Sequence, residues 1–320
     1  MTATLGAKEQ ALVEAVLSFP VGRPPEELAE LRRRLERILS SAGGDAVGRL
    51  LGRILTIGNE FTYYEADPLA RLMNRTVAEV VEAGAVTLDG VQNLVGLEQT
   101  PLLFLANHLS YSDANVLSVA LDGAGLSSFA DRLTVVAGPK VYSDPMRRFS
   151  SLCFGTIKTP QSTDLASEEA VMNVRDVAKV ARETIALACQ RERAGDALLV
   201  FVEGTRSRTH GMQKALAAVT RYFDVESLHL VPVGIAGTEH LVPVDDERLH
   251  RALVQVRLGK PAPAKALLDA AGRGNRRGVM DAIGVAIADL LPESYRGEYA
   301  ESAPDLDEAR RIGRSVFGPV

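Results

Sequence analysis

Several features that mark other classes of protein are missing from this sequence of 320 residues. It has only two cysteines, Cys153 and Cys189, so we expect no disulfide framework and a reducing, cytoplasmic compartment. The first residues, MTATLGAKEQ, lack the basic start and apolar core of a signal peptide, and no apolar run reaches the ~20 residues that span a bilayer. The net charge of −5 argues against nucleic acid as a partner, so any phosphate site must come from a local group of basic residues.

The motifs of several enzyme classes are also missing. No G-x-S-x-G segment supplies the nucleophilic serine of a lipid hydrolase, and no G-x-G-x-x-G follows a strand to bind a dinucleotide. No group of side chains has the spacing of metal ligands, so we expect no metal and no tightly bound cofactor. Cys153 is a conceivable nucleophile, although a buried structural cysteine is the commoner interpretation.

Residues 1–83 have the pattern of amphipathic helices. The segment PPEELAELRRRLERIL begins with prolines that suit a first helical turn, and its leucines recur at helical spacing. Apolar stripes around residues 47–55 and after Pro68 predict two further helices. We expect a small helical bundle packed on the main domain. A membrane-surface role for one stripe is the alternative.

Residues 84–300 predict an α/β layered fold with a mostly parallel, mixed central sheet flanked by helices. Short apolar runs alternate with helical segments, which is typical of such folds. The predicted strands are AVTLDG, NLVGL, PLLFLAN, LTVVAG, GTIKT, ALLVFVEG, LHLVPVGI and LVQVRLG. The predicted helices cover residues 113–122, 145–152, 167–192, 211–223 and 275–290. The charged residues 301–320 are expected to form a peripheral tail.

The segment LLFLANHLSYSDANVL indicates a general base. A buried strand ends at Asn107-His108, and a helix begins near Asp113. On such a turn the Asp113 carboxylate can hold one ring nitrogen of His108, so that the other nitrogen faces the cleft at the carboxyl end of the strand. This arrangement is a base with the group that orients it. The alternative is a helix capped by Ser110 or Asp113 beside an incidental histidine.

The segment ALLVFVEGTRSRT indicates a phosphate site. Another buried strand runs into a turn at Gly204, where the backbone can approach a ligand closely. Arg206 and Arg208 follow at the mouth of this strand and can grip a phosphate with forked donors, although solvated arginines are the alternative. Glu203 is predicted to orient an arginine, to bind an acceptor hydroxyl or to have a structural role. Gly204 and Thr205 are predicted either to bind the acceptor or to support the turn.

Together, N-H-L-S-Y-S-D and F-V-E-G-T-R-S-R resemble the motifs of the glycerolipid acyltransferases, which acylate glycerol-3-phosphate or 1-acylglycerol-3-phosphate. The segments CFGTIK and VPVGI resemble two further blocks, and the resemblance covers roughly residues 84–260. It implies that His108 deprotonates the acceptor hydroxyl, which attacks a thioester directly. It also implies acyl-CoA or acyl carrier protein as donor, backbone amides near a helix start for the oxyanion, and Lys158 beside Arg206 and Arg208 on the acceptor phosphate.

Two departures from the family pattern leave the acceptor open. The hydrophobic N-terminal helices of many membrane-bound relatives are missing, and TIKTPQS is an atypical context for the basic residue of the second block. A lipid substrate would be met at a membrane surface or taken from a soluble carrier.

Two other functions are alternatives to a glycerol-phosphate acyltransferase. One is an acyltransferase for a different lipid or polyol alcohol, and the other is a non-catalytic lipid-binding protein on the same fold.

Overall fold

The structure is a computed structural model that describes residues 5–81, 84–160, 174–246, 248–272, 274–303 and 305–318. Within these residues a central sheet carries helices on both faces, and each face has its own hydrophobic core. The predicted layered α/β fold is therefore confirmed.

The sheet is mixed and mostly parallel, as the sequence predicted. The strands in the described residues are β1 (Tyr63–Tyr64), β2 (Val86–Asp89), β3 (Leu102–Ala106), β4 (Leu133–Ala137), β5 (Gly155–Lys158), β6 (Ala197–Phe201), β7 (His229–Ala236), β8 (Val254–Leu258) and β9 (Ala262–Pro263). Their order is β1-β5-β4-β6-β3-β7-β8-β2, and β9 pairs with β7. The strands from β5 to β7 in this order are parallel, whereas β1 is antiparallel to β5, and β8 and β9 are antiparallel to β7.

Strand β3 lies at the centre of the sheet, between β6 and β7. All five of its residues are fully buried, because helices cover both faces. Phe104 points into one core, whereas Leu103 and Leu105 point into the other. The first polar residues after β3, Asn107 and His108, therefore emerge at the carboxyl edge of a rigid strand.

Helices from the two halves of the chain cover opposite faces of the sheet. The described helices are α1 (Ala7–Leu17), α2 (Pro25–Ala42), α3 (Gly44–Thr56), α4 (Pro68–Val81), α5 (Asp113–Gly123), α6 (Ser127–Asp131), α7 (Pro145–Ser151), α8 (Val174–Arg193), α9 (Thr238–Leu241), α10 (Ala264–Ala271), α11 (Arg276–Asp289) and α12 (Asp307–Phe317). Side chains of α1 to α7 form the first core, and side chains of α8 and α10 to α12 form the second.

The N-terminal helical region contains α1 to α4, one helix more than the sequence predicted. Its apolar stripes face inward, and Leu31, Leu35, Leu50 and Met73 have no exposed surface. These residues belong to the same core as one face of the sheet. The stripes are therefore core-facing, as expected for a bundle packed on the main domain.

The predicted strand NLVGL is wrong, since residues Val91–Leu94 form a short 3₁₀ helix. Gly90, with a φ of +82°, turns the chain at this point, and a Cβ atom there would collide with the carbonyl of Leu258. The side chain of Asn93 donates a hydrogen bond to that same carbonyl. A turn pinned to β8 replaces the expected strand.

The predicted helix 211–223 is only partly right. A 3₁₀ helix covers Ala217–Phe223, but the residues before it are irregular. The amide of Met212 bonds to the carbonyl of Tyr295, and the amide of Leu216 bonds to that of Val202. These long-range bonds replace helical ones. The predicted helix 167–192 is observed from Val174 onward, and its predicted first residues lie outside the described part of the chain.

The tail predicted to be peripheral contains α12, which is part of the second core. Ala309, Ile312 and Phe317 are buried against α10 and α11. Between them lie charged residues that face solvent, and these gave the segment its polar composition. An amphipathic helix, rather than a loose tail, follows residue 300.

Candidate active site

A cleft of about 1050 Å³ opens at the carboxyl ends of the central strands. His108 follows β3, Gly138 follows β4, and Gly204, Thr205 and Arg206 follow β6, and all of them line the cleft. Parallel sheets place their ligands at this edge, where the strands end and the loops diverge. The cleft is therefore where the two motifs meet.

The side chains of His108 and Asp113 are in direct contact. The Nδ1 atom of His108 lies 2.8 Å from Oδ2 of Asp113, across the turn from β3 to α5. The Asp113 side chain is fully buried, whereas that of His108 is 16% exposed. Because a carboxylate can only accept, Nδ1 carries the proton, and Nε2 keeps a lone pair for the cleft. The geometry predicted for this pair is confirmed.

The Asp113 carboxylate also organises the turn around the histidine. Its Oδ2 atom accepts hydrogen bonds from the amides of Leu109 (2.7 Å) and Ser110 (3.1 Å). Its Oδ1 atom accepts a bond of 2.5 Å from the hydroxyl of Thr238 in α9. The alternative of a helix cap beside an incidental histidine is not observed, because Ser112 precedes α5 without a side-chain cap and the Asp113 carboxylate holds both the turn and the ring. The amides of Leu109 and Ser110 are consequently engaged and are not free for an oxyanion.

The ring of His108 is also held from β6. It stacks on Phe201 with centroids 4.0 Å apart and planes 14° apart. Its own amide donates a hydrogen bond of 2.8 Å to Oε1 of Glu203, and the amide of Ser207 donates one of 2.8 Å to its carbonyl. The backbone and the ring are therefore fixed on both sides, which leaves Nε2 in a defined position.

The contacts of Glu203 fit the structural role among those predicted for it. It is buried, and its carboxylate accepts hydrogen bonds from the amides of His108 and Gln213, both at 2.8 Å. Burial raises the pKa of Glu203 to about 7, the two amide bonds act in the opposite direction, and the nearby Asp113 raises it further. Glu203 contacts neither an arginine nor the open cleft among the described residues. It ties β3 to the loop after β6.

Arg206 and Arg208 line the same cleft as His108, as predicted. Gly204, with a φ of +69°, makes the tight turn that brings them there, and Thr205 lies between them and the strand. Arg206 is half-buried, and burial lowers the pKa of its guanidinium. Arg208 is exposed. Neither guanidinium has a hydrogen bond or an ion pair with any residue that the structure describes.

The structure does not bring Lys158 into the cleft. Its ammonium group donates a hydrogen bond of 2.6 Å to the carbonyl of Gly58 and lies 4.5 Å from the ring centroid of Phe61. Burial, and then the charge of Arg148, lower the pKa of Lys158. The residue sits at the end of β5, next to the edge strand β1, and anchors the loop before that strand.

Other basic residues line the cleft that the sequence did not single out. They are Lys140, Arg147, Arg221 and Arg248. Arg248 is paired with Asp246, and the guanidinium of Arg147 donates to the carbonyl of Lys140 at 2.8 Å. Tyr111, between His108 and Asp113 in the sequence, also lines the cleft. Tyr111 belongs to the first motif and Arg147 to the PMRRF segment, but no spacing rule connects these residues or the other basic ones.

Apolar side chains from both faces of the sheet line the rest of the cleft. From the first core come Phe19, Val77, Val116, Val135 and Phe154, and from the second come Val136, Ile185, Val200, Val219 and Tyr222. Adjacent residues of β4 point to opposite faces, so this strand contributes to both sets. The cleft therefore has polar residues, among them His108 and Arg206, between two apolar walls, one on each face of the sheet.

Other candidate groups lie outside this arrangement. Cys153 is buried, burial raises the pKa of its thiol, and the thiol contacts the carbonyls of Ala70 and Phe149. This environment fits the structural interpretation. In the described part of the chain, no group of three His, Cys, Asp or Glu side chains is arranged to hold a metal ion. No described helix is long and apolar enough to cross a membrane.

Comparison with known families agrees with this geometry. Residues 85–236 match the family model described as Acyltransferase. This segment, which contains both motifs, is therefore an acyltransferase-family domain. The family resemblance inferred from the sequence is confirmed at this level.

A solved structure was also found to be similar. It is the crystal structure of the 1-acyl-sn-glycerophosphate acyltransferase PlsC from Thermotoga maritima. The similarity has a TM-score of 0.44 and 16% sequence identity, and covers 76% of this chain and 87% of that one. No curated protein sequence matches the chain.

Proposed function

We propose that this acyltransferase moves a fatty acyl group from a thioester to a hydroxyl of glycerol-3-phosphate or 1-acylglycerol-3-phosphate. One observation carries the proposal. The oriented His108–Asp113 pair lines one cleft with Arg206 and Arg208, two arginines that have no ion pair with any described residue. A base alone fits any acyl acceptor, whereas a base beside unneutralised guanidinium groups fits an acceptor that bears a phosphate.

The reaction follows from the position of Nε2. This atom accepts the proton of the acceptor hydroxyl while the hydroxyl oxygen attacks the thioester carbonyl. Asp113 stabilises the imidazolium that forms, because its carboxylate is 2.8 Å from Nδ1. When the tetrahedral intermediate collapses, the carbon–sulfur bond breaks and the imidazolium returns its proton to the thiolate. The histidine is thereby regenerated without an acyl-enzyme.

The charge balance of the cleft supports a phosphate dianion. Arg206 is half-buried without a carboxylate partner among the described residues. Burial is the main cause that lowers its pKa, nearby Arg147 and Arg208 act in the same direction, and Tyr111 and Asp113 act against them. Cations assembled in this way are stabilised when an anion binds between them. Inorganic phosphate should therefore compete with the acceptor.

The two apolar walls favour an acceptor that carries its own acyl chain. A donor chain needs one apolar surface, and glycerol-3-phosphate needs none. The walls on opposite faces of the sheet can cover two chains at once, which suits 1-acylglycerol-3-phosphate. The donor is acyl-CoA or acyl carrier protein, used as a co-substrate. We further propose that the protein works in the cytoplasm and meets its lipid at a membrane surface.

The test is a thiol-release assay with matched acceptors. Acyl-CoA and the acylated form of acyl carrier protein are each combined with 1-acylglycerol-3-phosphate, glycerol-3-phosphate or monoacylglycerol, which lacks the phosphate. Release that depends on a phosphate acceptor and disappears in His108→Ala supports the proposal. Equal turnover of monoacylglycerol would point to a different alcohol acceptor. Lipid binding without thiol release from any pair would point to a non-catalytic protein.

A further inference from the structure

One aromatic ring contacts two cations of the cleft. The guanidinium carbon of Arg206 lies 3.6 Å from the ring centroid of Tyr111, and that of Arg147 lies 4.1 Å from the same centroid. The three residues come from different segments, namely the turn before α5, the loop after β6, and α7. All three line the cleft beside His108.

The two arginines are held in different ways. Arg147 is anchored to the protein, because its Nη1 atom donates hydrogen bonds to the Lys140 carbonyl at 2.8 Å and the Ser143 hydroxyl at 3.1 Å. The guanidinium of Arg206 has no hydrogen bond or ion pair within the described residues. Its contact with Tyr111 is therefore the interaction that fixes its head group, and its N–H donors remain available to a ligand.

An aromatic partner suits this position better than a carboxylate would. A carboxylate would neutralise Arg206 and compete with an incoming anion. A ring face attracts the cation through its quadrupole and leaves the charge and the donors in place. The ring also offsets part of the repulsion between Arg206 and Arg147. Their guanidinium carbons lie 3.6 Å and 4.1 Å from the same centroid, so the two charges are within about 8 Å of each other, a distance at which salt does not fully screen them.

We propose that Tyr111 is a positioning residue that holds Arg206 against the anchored Arg147, so that Arg206 presents its donors to the acceptor phosphate. The inference rests on the proposed function for the identity of the acceptor, but not for the binding of an anion. The phenol hydroxyl is not needed, because the ring face makes the contact.

The experiment measures the binding of inorganic phosphate by titration calorimetry, together with acceptor and donor kinetics. The variants are Tyr111→Ala, Tyr111→Leu, which keeps a bulky side chain, and Tyr111→Phe. We expect Tyr111→Ala and Tyr111→Leu to raise both the Kd for phosphate and the acceptor KM by roughly threefold to thirtyfold. This factor corresponds to the free energy of one cation–π contact. Tyr111→Phe should stay within about twofold of the wild type, since Phe keeps the ring face. The donor KM and kcat should change little in all three.

The control is Tyr63→Ala. Tyr63 contacts the guanidinium of Arg191 at 4.1 Å, outside the cleft lining, so this substitution removes the same kind of contact elsewhere. It should leave phosphate binding unchanged.

Three outcomes would overturn the proposal: no phosphate binding by the wild type, equal binding by wild type and folded Tyr111→Leu, or no rescue by phenylalanine. If phosphate binding falls as expected but no phosphate acceptor is acylated, the positioning role stands and the proposed acceptor is wrong.

Discussion

The hydroxyl of Thr238 donates a hydrogen bond of 2.5 Å to the Oδ1 atom of Asp113, across 125 residues of sequence. Asp113 is the residue that orients the candidate base, and Thr238 begins the short helix after β7. His108, which follows β3, is therefore connected through Asp113 to the segment that follows the neighbouring strand β7. Because the bond is buried and involves a carboxylate, its loss should be measurable in both stability and rate.

Thr238→Val should lower the free energy of unfolding by about 1.5–3 kcal/mol, since the side chain keeps its shape but leaves a buried carboxylate oxygen without this donor. The acylation rate should fall as well, because Asp113 loses one of the contacts that fix it. Chemical denaturation and the thiol-release assay measure the two effects. Thr238→Ser keeps the hydroxyl and is the control. Wild-type stability of the valine variant would show that the contact contributes nothing.

His108→Ala should reduce the acylation rate by on the order of 10² to 10⁴, as expected for loss of a general base. Asp113→Asn should act in the same direction, because an amide can stabilise the wrong ring tautomer. Circular dichroism must first show that each variant is folded. Turnover near that of the wild type in folded His108→Ala would contradict the mechanism.

Arg206→Ala should raise the acceptor KM by roughly tenfold to 150-fold, the range for loss of a charged hydrogen bond of about 1.5–3 kcal/mol. Arg208→Ala should have a smaller effect, because Arg208 is exposed and water screens its charge. Saturation curves in each substrate distinguish the roles. A rise in the donor KM alone would assign these arginines to coenzyme A or to the carrier protein. Arg206→Lys should only partly restore binding, since a point charge lacks the fork.

Glu203→Gln tests whether this buried residue supports the backbone or binds the acceptor. A glutamine can accept from the amide of His108 or of Gln213, but its NH₂ group cannot accept from the other. We expect a loss of about 1–3 kcal/mol in unfolding free energy, a lower kcat, and an acceptor KM close to that of the wild type. A selective rise in the acceptor KM would restore the acceptor-binding role that the sequence suggested.

Glu192 predicts a dependence of stability on pH. Its carboxyl is buried with no hydrogen-bond partner within the described residues, and burial raises its pKa from 4.5 to about 8, against the attraction of Arg193. The folded state therefore binds more protons than the unfolded state between these values, so stability falls as pH rises from 4.5 to 8. The slope is at most about 1.4 kcal/mol per pH unit. Glu192→Gln should flatten this slope in denaturation curves, and an unchanged slope would exclude Glu192 as its source.

The strands and the central pair were predictable because their signals are local. Continuous apolar runs such as LLFLA and LLVFV identified β3 and β6, and both are buried on two faces. A strand followed by a helix placed His108 against Asp113 within five residues. Strands β1 and β9 were missed, since two residues are too short for any periodicity.

The rest of the site depends on contacts between distant segments. Thr238, Phe201 and Arg147 reach their partners through the order of the strands, which local periodicity does not determine. Lys158 shows the reverse case, because a basic residue in a plausible position turns instead to the carbonyl of Gly58. The sequence also led us to overestimate the exposure of α12, since its three buried apolar side chains are spread among charged ones that face solvent.

The late position of α11 and α12 has a consequence for synthesis of the chain on the ribosome. The strands that carry the base and the arginines are complete by residue 236, but the part of the second face formed by β3 and β7 is covered by α11, from residues 276–289, on which α12 packs. A nascent chain that has formed its site but not α11 still exposes Leu103, Leu105 and Leu230 to solvent. During that interval the apolar face is a surface for chaperones or for aggregation. The arrival of α11 and α12 closes this core.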